Sequence, residues 1–321
     1  MKLRSLLTLL LAIPAVALAQ AFPNKPVQLM VAYPAGGSTD IAARIVAAIA
    51  EKDLGQSIVV VNKGGAGGQV GWTEMSRVKP DGYYMGFINL PALNTVILDP
   101  DRKAAFTIDH FVPVINQVLD PGIIWVKGDS PYKTLKDLID AARKNPHKIS
   151  AATTGILSDD HLAILMMEEA APGTFFRIVH FEGGAPVMTA VLGGHIESAF
   201  DNVGSVFRRI KTGEVRALAV MDNQRSPFMP DVPTMRELGY PTVLSSSTRG
   251  IAVPRGTPQP VIKRLEQSLK KAMDDPEHLK KMEEAGLQLR VMVGDEYLRY
   301  YKDLHAKAAK YTEWARSRPH K

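Results

Sequence analysis

The chain has 321 residues, 45% of them hydrophobic and 22% charged, with a formal net charge of +6. A charge balance this mild and scattered excludes a nucleic-acid-binding footprint, and the composition is that of a globular chain with room for two α/β lobes. No cysteine is present, which removes disulfides, thiol catalysis and thiolate metal sites together.

Residues 1–19 read as a secretory signal. Lys2 and Arg4 supply the positive start, residues 6–15 the apolar centre, and Ala17, Leu18 and Ala19 the small-residue cleavage pattern. The apolar run is short for a membrane span. Export, cleavage after Ala19 and a mature chain from Gln20 are therefore expected; a retained anchor is the alternative.

Residues 28–40 are the stretch around which the remaining chain is organised. The apolar run over 29–32 predicts a buried strand, and Pro34 ends it by removing a backbone donor. Gly36 and Gly37 permit positive φ, Ser38 is the expected N-cap, and Thr39 and Asp40 fall in the first helical turn. Ile41, Ile45, Val46 and Ile49 recur at helical spacing, and Gly55 supplies the stop. Such a turn aims unpaired N–H groups and a positive helix end at one point, which suits an anion. A tight strand-to-helix connection without a ligand is the plainer reading of a single turn.

Residues 57–61 form a second, β-branched strand. The glycine loop over 62–71 matches neither G-x-G-x-x-G nor a P-loop, so no nucleotide site is expected. A helical stretch over 72–77 and a turn over 79–82 precede a strand over 83–88, and residues 89–94 are another candidate pocket edge. Residues 111–118 and 122–126 are extended runs around an expected turn at Asp120 and Pro121, where the chain first crosses between lobes. Thr134 and Asp137 form a capping box ahead of a helix that buries Leu135, Leu138, Ile139 and Ala142.

Strand, small-residue turn, polar cap and helix then recur twice. Residues 149–154 lead through Gly155 to a helix start where Thr153, Thr154 and Ser158 offer hydroxyls. Asp159 and Asp160 suit that helix's dipole but would repel an anion placed too close. A strand over 179–181 leads through 182–186 into a helix over 187–192, closed by Gly193 and Gly194. Strands over 195–200 and 217–221 come next, the first running into an Asp201-Asn202 turn. Three such turns favour a ligand site where one did not. Beyond Pro260 the chain is mainly helical, with an apolar stripe of Val261, Leu265, Leu269 and Met273. Asp275 restarts a helix, residues 287–292 form a strand, and a final helix opens at Asp295. Tyr297, Tyr300, Tyr301, Leu304, Ala308, Tyr311 and Trp314 are its expected core side.

Catalytic signals are weak. The eight histidines form no H-E-x-x-H and no close pairing with carboxylates, so neither a metal nor a cofactor is expected. Ser158 and Ser205 lack a G-x-S-x-G elbow. Asp159 and Asp160 fit helix capping better than acid–base work. His161 either lines the pocket or is a structural histidine, and the sequence leaves both open.

Several segments together resemble a known family. They are Pro34-Ala-Gly-Gly-Ser-Thr-Asp40, Asn62-Lys-Gly-Gly-Ala-Gly-Gly68, Pro80-Asp-Gly-Tyr83, Gly183-Gly-Ala-Pro186 and Leu192-Gly-Gly-His-Ile196. Gly213-Glu-Val-Arg-Ala-Leu-Ala219, Arg225-Ser-Pro227, Pro230-Asp-Val-Pro-Thr234 and Pro254-Arg-Gly-Thr-Pro258 extend the match over nearly the whole mature chain. The sequence resembles the Bug/TctC-type extracytoplasmic substrate-binding receptors of tripartite tricarboxylate transporters. The resemblance implies an α/β, two-lobed periplasmic-binding-protein fold (type II-like) with the ligand cleft between lobes. The first lobe is expected over 20–123 plus 250–321 and the second over 124–249.

It further implies a monomer that captures a small carboxylate, di- or tricarboxylate included, and delivers it to a membrane permease without a cofactor. Carried over by position, the site comprises Tyr33, Ala35, Gly36, Gly37, Ser38, Thr39 and Asp40 on one loop. Thr153, Thr154, Gly155, Ser158 and His161 lie on the other, with Asp201 and Asn202 as a further wall. Where family members carry bulky apolar surface before the position of Gly250, this chain has Thr248 and Arg249. Arg249 either grips a second carboxylate, favouring a di- or tricarboxylate, or faces solvent at a hinge. A secreted α/β enzyme acting on an anionic substrate and a binding protein feeding a sensor are the alternatives; the enzyme needs a nucleophile–base pair that the sequence does not show.

Overall fold

The structure, a computed structural model, describes residues 22–318; the expected signal and its cleavage point lie outside them. Its first sheet begins with three parallel strands, β1 (Val27–Val31), β2 (Ile58–Asn62) and β3 (Tyr84–Leu90), in the order β2-β1-β3. β3 is buried at all seven positions, as a strand covered on both faces must be. α1 (Ser38–Leu54) and α2 (Gln69–Met75) connect these strands, and α3 (Ala92–Leu98) comes after β3. α1 ends at Gly55, left-handed at φ 78°, as its sequence predicts.

β4 (Phe111–Lys127) is 17 residues long and belongs to two sheets. The second sheet holds β5 (Ser150–Thr153), β6 (Arg177–His180), β7 (Ser198–Asn202) and β8 (Val215–Met221). Residues 122–127 of β4 pair antiparallel with β7 and β8, and β7 continues to β5 and β6. Residues 111–121 pair instead with β9 (Ser246–Pro254), which also pairs antiparallel with β3, and with β10 (Leu289–Val293). The turn expected at Asp120 and Pro121 is absent; the strand runs through. Pro121 lacks a donor but sits where β4 exchanges one set of neighbours for the other. Gly122 N–H resumes the pairing at once, bonding Ser245 C=O at 2.8 Å.

Each sheet carries a core on both faces, following the two-residue period of its strands. Leu29, Phe87 and Leu265 pack on one face of the first sheet; Met30, Ile88 and Trp72 pack on the other. In the second, Ile124, Leu138 and Phe200 share one face and Ile123, Trp125 and Val206 the other. The helices here are α4 (Leu135–Lys144), with the expected Thr134–Asp137 capping box, α5 (Asp159–Ala170), α6 (Gly184–Leu192) and α7 (Val203–Lys211). Asp201 and Asn202 end β7 rather than forming a turn, and α7, which no sequence signal marks, starts directly after them. α8 (Gln259–Asp274) and α9 (Pro276–Ala285) return the chain to the first lobe, and α10 (Gly294–Ser317) closes it. Tyr297 and Tyr301 are buried there, whereas Tyr311 is 46% exposed, so the aromatic core stripe is shorter than its sequence spacing suggests.

Candidate ligand-binding cleft

A narrow cavity of about 40 Å³ lies between the lobes, where the β1–α1 turn faces the starts of α6 and α7. Both α1 and α6 are N-capped by glycine, Gly37 and Gly183, with no side chain closing the orphan N–H groups. A Cβ added at Gly37 would lie 4.0 Å from Ala185 N, so the two uncapped helix starts oppose each other closely. Ser38, expected as the cap, is instead the first helical residue, and its hydroxyl is drawn into the cleft by Arg249 and Ser205. Gly36 has the positive φ, +87°, that favours glycine, but Gly37 at −79° does not need it.

Asp40 holds this turn from behind. Its carboxylate accepts from Gly36 N–H at 2.9 Å, Arg44 Nε at 3.0 Å and Asn62 Nδ2 at 3.0 Å, and Asn62 also donates to Tyr33 C=O. Burial opposes ionisation of Asp40, but those bonds together hold its pKa below the ordinary carboxylate value. Burial, reinforced by Asp159, pushes the Tyr33 phenol the other way, upward.

Arg249 resolves differently from either expectation. It is 2% exposed and lines the cavity, yet its guanidinium is largely committed to the protein. Nη1 pairs with Asp120 Oδ2 at 2.6 Å, and Nε donates to Thr39 Oγ1 at 3.1 Å. Nη2 donates to Ser38 Oγ at 2.9 Å and Asn202 Oδ1 at 3.1 Å. The side chain therefore bolts the first lobe to the second and leaves no free two-pronged fork for a ligand.

Around this one cation stand four buried carboxylates: Asp120, Asp159, Asp160 and Asp201. Asp159 Oδ2 accepts from Asn202 Nδ2 at 2.8 Å, and Asp160 Oδ2 from Thr154 N–H at 3.2 Å and from its hydroxyl. Asp201 Oδ1 accepts from Asn202 N–H at 2.7 Å, while Oδ2 has no hydrogen-bond partner. Burial raises the pKa of all four, most for Asp160, which Asp159 and Asp201 push further, and takes Asp201 to about 7.

Of the expected site residues, Tyr33, Gly37, Ser38, Thr39, Asp40, Thr154, Asp201, Asn202 and Arg249 share this cavity. Ala35 and Gly36 sit on the exposed outer side of the turn. Thr153 is buried against His180, Oγ1 to Nδ1 2.7 Å, and Ser158 caps α5 by accepting from His161 N–H at 3.2 Å. His161 and Gly155 line a neighbouring cavity instead. There His161 Nδ1 accepts from Leu157 N–H at 3.0 Å and its ring meets His180 at 4.6 Å, which fits a structural histidine. Asn89, on the candidate pocket edge over 89–94, also lines the cleft, as do Asp159, Gly184, Ser205 and Ser247, which sequence reasoning does not place there. Asn89 carries the signal of a polar residue ending a buried strand. Ser205 carries none without knowledge of α7.

Further bonds cross the cleft. Thr95 Oγ1 donates to Leu157 C=O at 2.9 Å, Arg102 Nη2 to Ile156 C=O at 2.8 Å, and Gly67 N–H to Glu182 Oε2 at 2.9 Å. Among the described residues no group of side chains could hold a metal ion, and no helix is long and apolar enough to cross a membrane.

The family model described as tripartite tricarboxylate transporter family receptor matches residues 42–313. The UPF0065 protein in the gbd 5' region of Cupriavidus necator is 33% identical over 298 residues, 91% of this chain and 88% of that protein. Among solved structures, the periplasmic binding protein BugD superposes with a TM-score of 0.84 at 31% identity, covering 92% of this chain and 98% of its own. MatC from Rhodopseudomonas palustris with bound malate gives a TM-score of 0.81 at 25% identity, covering 91% of this chain and 100% of its own.

Proposed function

Because this chain belongs to the tripartite tricarboxylate transporter receptor family, whose members are periplasmic solute-binding proteins and not enzymes, we propose that it captures a small carboxylate-bearing solute and delivers it to a tripartite membrane carrier. The observation that carries this reading is the pair of glycine-capped helix starts, α1 and α6, facing one another across the interlobe cavity. Two positive helix ends with orphan N–H groups form a carboxylate cradle that needs no cationic side chain. The malate bound by MatC is a carboxylate, the class of group such a cradle takes. Arg249 belongs to the wall that fixes Ser38, Thr39 and Asn202 around it.

The lobes are taken as residues 20–123 with 250–321, and 124–249. Sheet neighbours change between 121 and 122 on β4, and β9 begins at 246, near both boundaries. The exported chain, cleaved after Ala19, acts as a monomer. Native mass spectrometry of the purified protein, followed by a thermal-shift screen of organic acids, tests the proposal. A true ligand at a hundredfold excess over its Kd adds about 2.7 kcal/mol of apparent stability. A panel of carboxylates that produces no shift and no bound mass would overturn it.

A further inference from the structure

We propose that the face of β9 turned away from the cleft carries a second binding site, for an acid with a compact apolar body, and that its occupant favours the closed arrangement of the lobes. The two-residue alternation of β9 creates it. Ser247 and Arg249 line the cleft, whereas their neighbours Ser246 and Thr248 line a separate cavity of about 200 Å³ on the opposite face.

The walls of this cavity come from elements of both sheets. Leu90 ends β3, and Leu304 stands on α10, which packs against the first sheet; Leu162 and Met166 stand on α5, which packs against the second. Leu244, on the approach to β9, completes the apolar lining. Two polar groups at the floor are already engaged. Ser245 Oγ donates to Asp159 C=O at 3.1 Å, and the Asp159 carboxylate accepts from Asn202 on the cleft side. Such an interior takes an apolar body. An apolar cavity of about 150 Å³ admits benzene, so this one fits a phenyl ring with a short arm.

Charge at the mouth chooses the head group. Lys307 lines the cavity from the exposed side of α10, and Lys310 lines a continuation that shares Met166, Leu244 and Tyr311 with it. Residues three apart on a helix are neighbours, so both ammonium groups serve one head group. Neither lysine has an ion-pair partner among the described residues. Nearby acids do not compensate them: Glu169 pairs with Arg318, and Glu313 lines the opposite flank of α10. An anionic head supplies the missing partner while the body enters between α5 and α10. An occupant touching both helices favours the separation they have here, and motion about β9 alters that separation. Occupancy and closure are therefore linked, each promoting the other. Asp159 lines both cavities, so the two sites share a wall.

Calorimetry with 3-phenylpropionate and its uncharged amide tests this. The acid should bind tenfold or more tightly than the amide. Lys307→Glu combined with Lys310→Glu, both at exposed positions, should weaken the acid at least tenfold without changing the melting temperature. Gly37→Val, in the cleft, should leave its affinity within twofold. Of the three tryptophans, Trp72 and Trp125 are fully buried and Trp314 lines the continuation. The acid should therefore change the emission in wild type but not in Trp314→Phe. Small-angle scattering with the acid as sole ligand should give a smaller radius of gyration than without it; an unchanged value would overturn the link to closure. An amide that binds as tightly as the acid would overturn the anionic head. Binding lost in Gly37→Val but kept in the lysine variant would put the acid in the cleft, overturning the second site and leaving the carboxylate cradle intact. No saturable binding of either probe would overturn the second site as well.

Discussion

Removing the Arg249 side chain would strand Asp120 as an uncompensated carboxylate at 0% exposure. Arg249→Ala should therefore cost about 3–5 kcal/mol in urea unfolding, and Asp120→Asn added to it should restore part of the loss. Strictly additive losses would show that the pair is not coupled. Asp201 makes the opposite kind of prediction. Its folded pKa of about 7 lies above the ordinary value, so the folded state holds its proton where the unfolded chain has released it. Its contribution is complete below about pH 4 and is lost as pH rises through about 7. Ligand-free Asp201→Asn should match wild type near pH 4 and exceed it at pH 8 by on the order of 2–3 kcal/mol. A stability difference independent of pH would refute the shift. At this scale the sequence named many of the cleft residues but not their pairings. The commitment of Arg249 to Asp120 depends on β4 and β9 lying side by side, and no local pattern encodes that.

The β1–α1 turn and α6 make the element-level case. A side chain at Gly37 meets only ordinary contacts at its Cβ, and its backbone angles are open to any residue. The γ-carbons of a valine would reach towards Ala185 across the cleft. Gly37→Val should thus leave the melting temperature within about 2 °C of wild type, a change of under about 1 kcal/mol, and lower affinity for the confirmed acid severalfold. An affinity loss no larger than the stability loss would make the turn merely structural. Elements with strong local chemistry were legible: the Thr134 capping box, the Gly55 stop and the β-branched run of β2. Two were not. α7 begins where β7 ends without an intervening loop, so no turn residue announces it. Asp120-Pro121 carries turn chemistry that the pairing of β4 with two successive partner sets overrides.

For the whole molecule, among the described residues the chain passes between the two sheets along β4 and on the approach to β9, so residues 120–126 and 244–250 should act as hinges when the lobes part. Small-angle scattering should show a smaller radius of gyration with a confirmed ligand than without it; an unchanged value would mean that binding needs no closure. The sequence suggested two lobes through its length and the family resemblance. The insertion of one lobe into the other rests on pairings more than a hundred residues apart, such as Phe87 with Ile251, which periodicity cannot reveal. That pairing also sets a timetable. β3 is made early, and its neighbour β9 only after the entire second lobe has been synthesised. A chain emerging N-terminus first can complete the inserted sheet, β4 to β8, while the edge of β3 still waits. The first lobe closes last, whatever its share of the core. Until residue 254 arrives, the nascent chain carries an apolar open edge, and during that interval it depends on whatever keeps emerging chains apart.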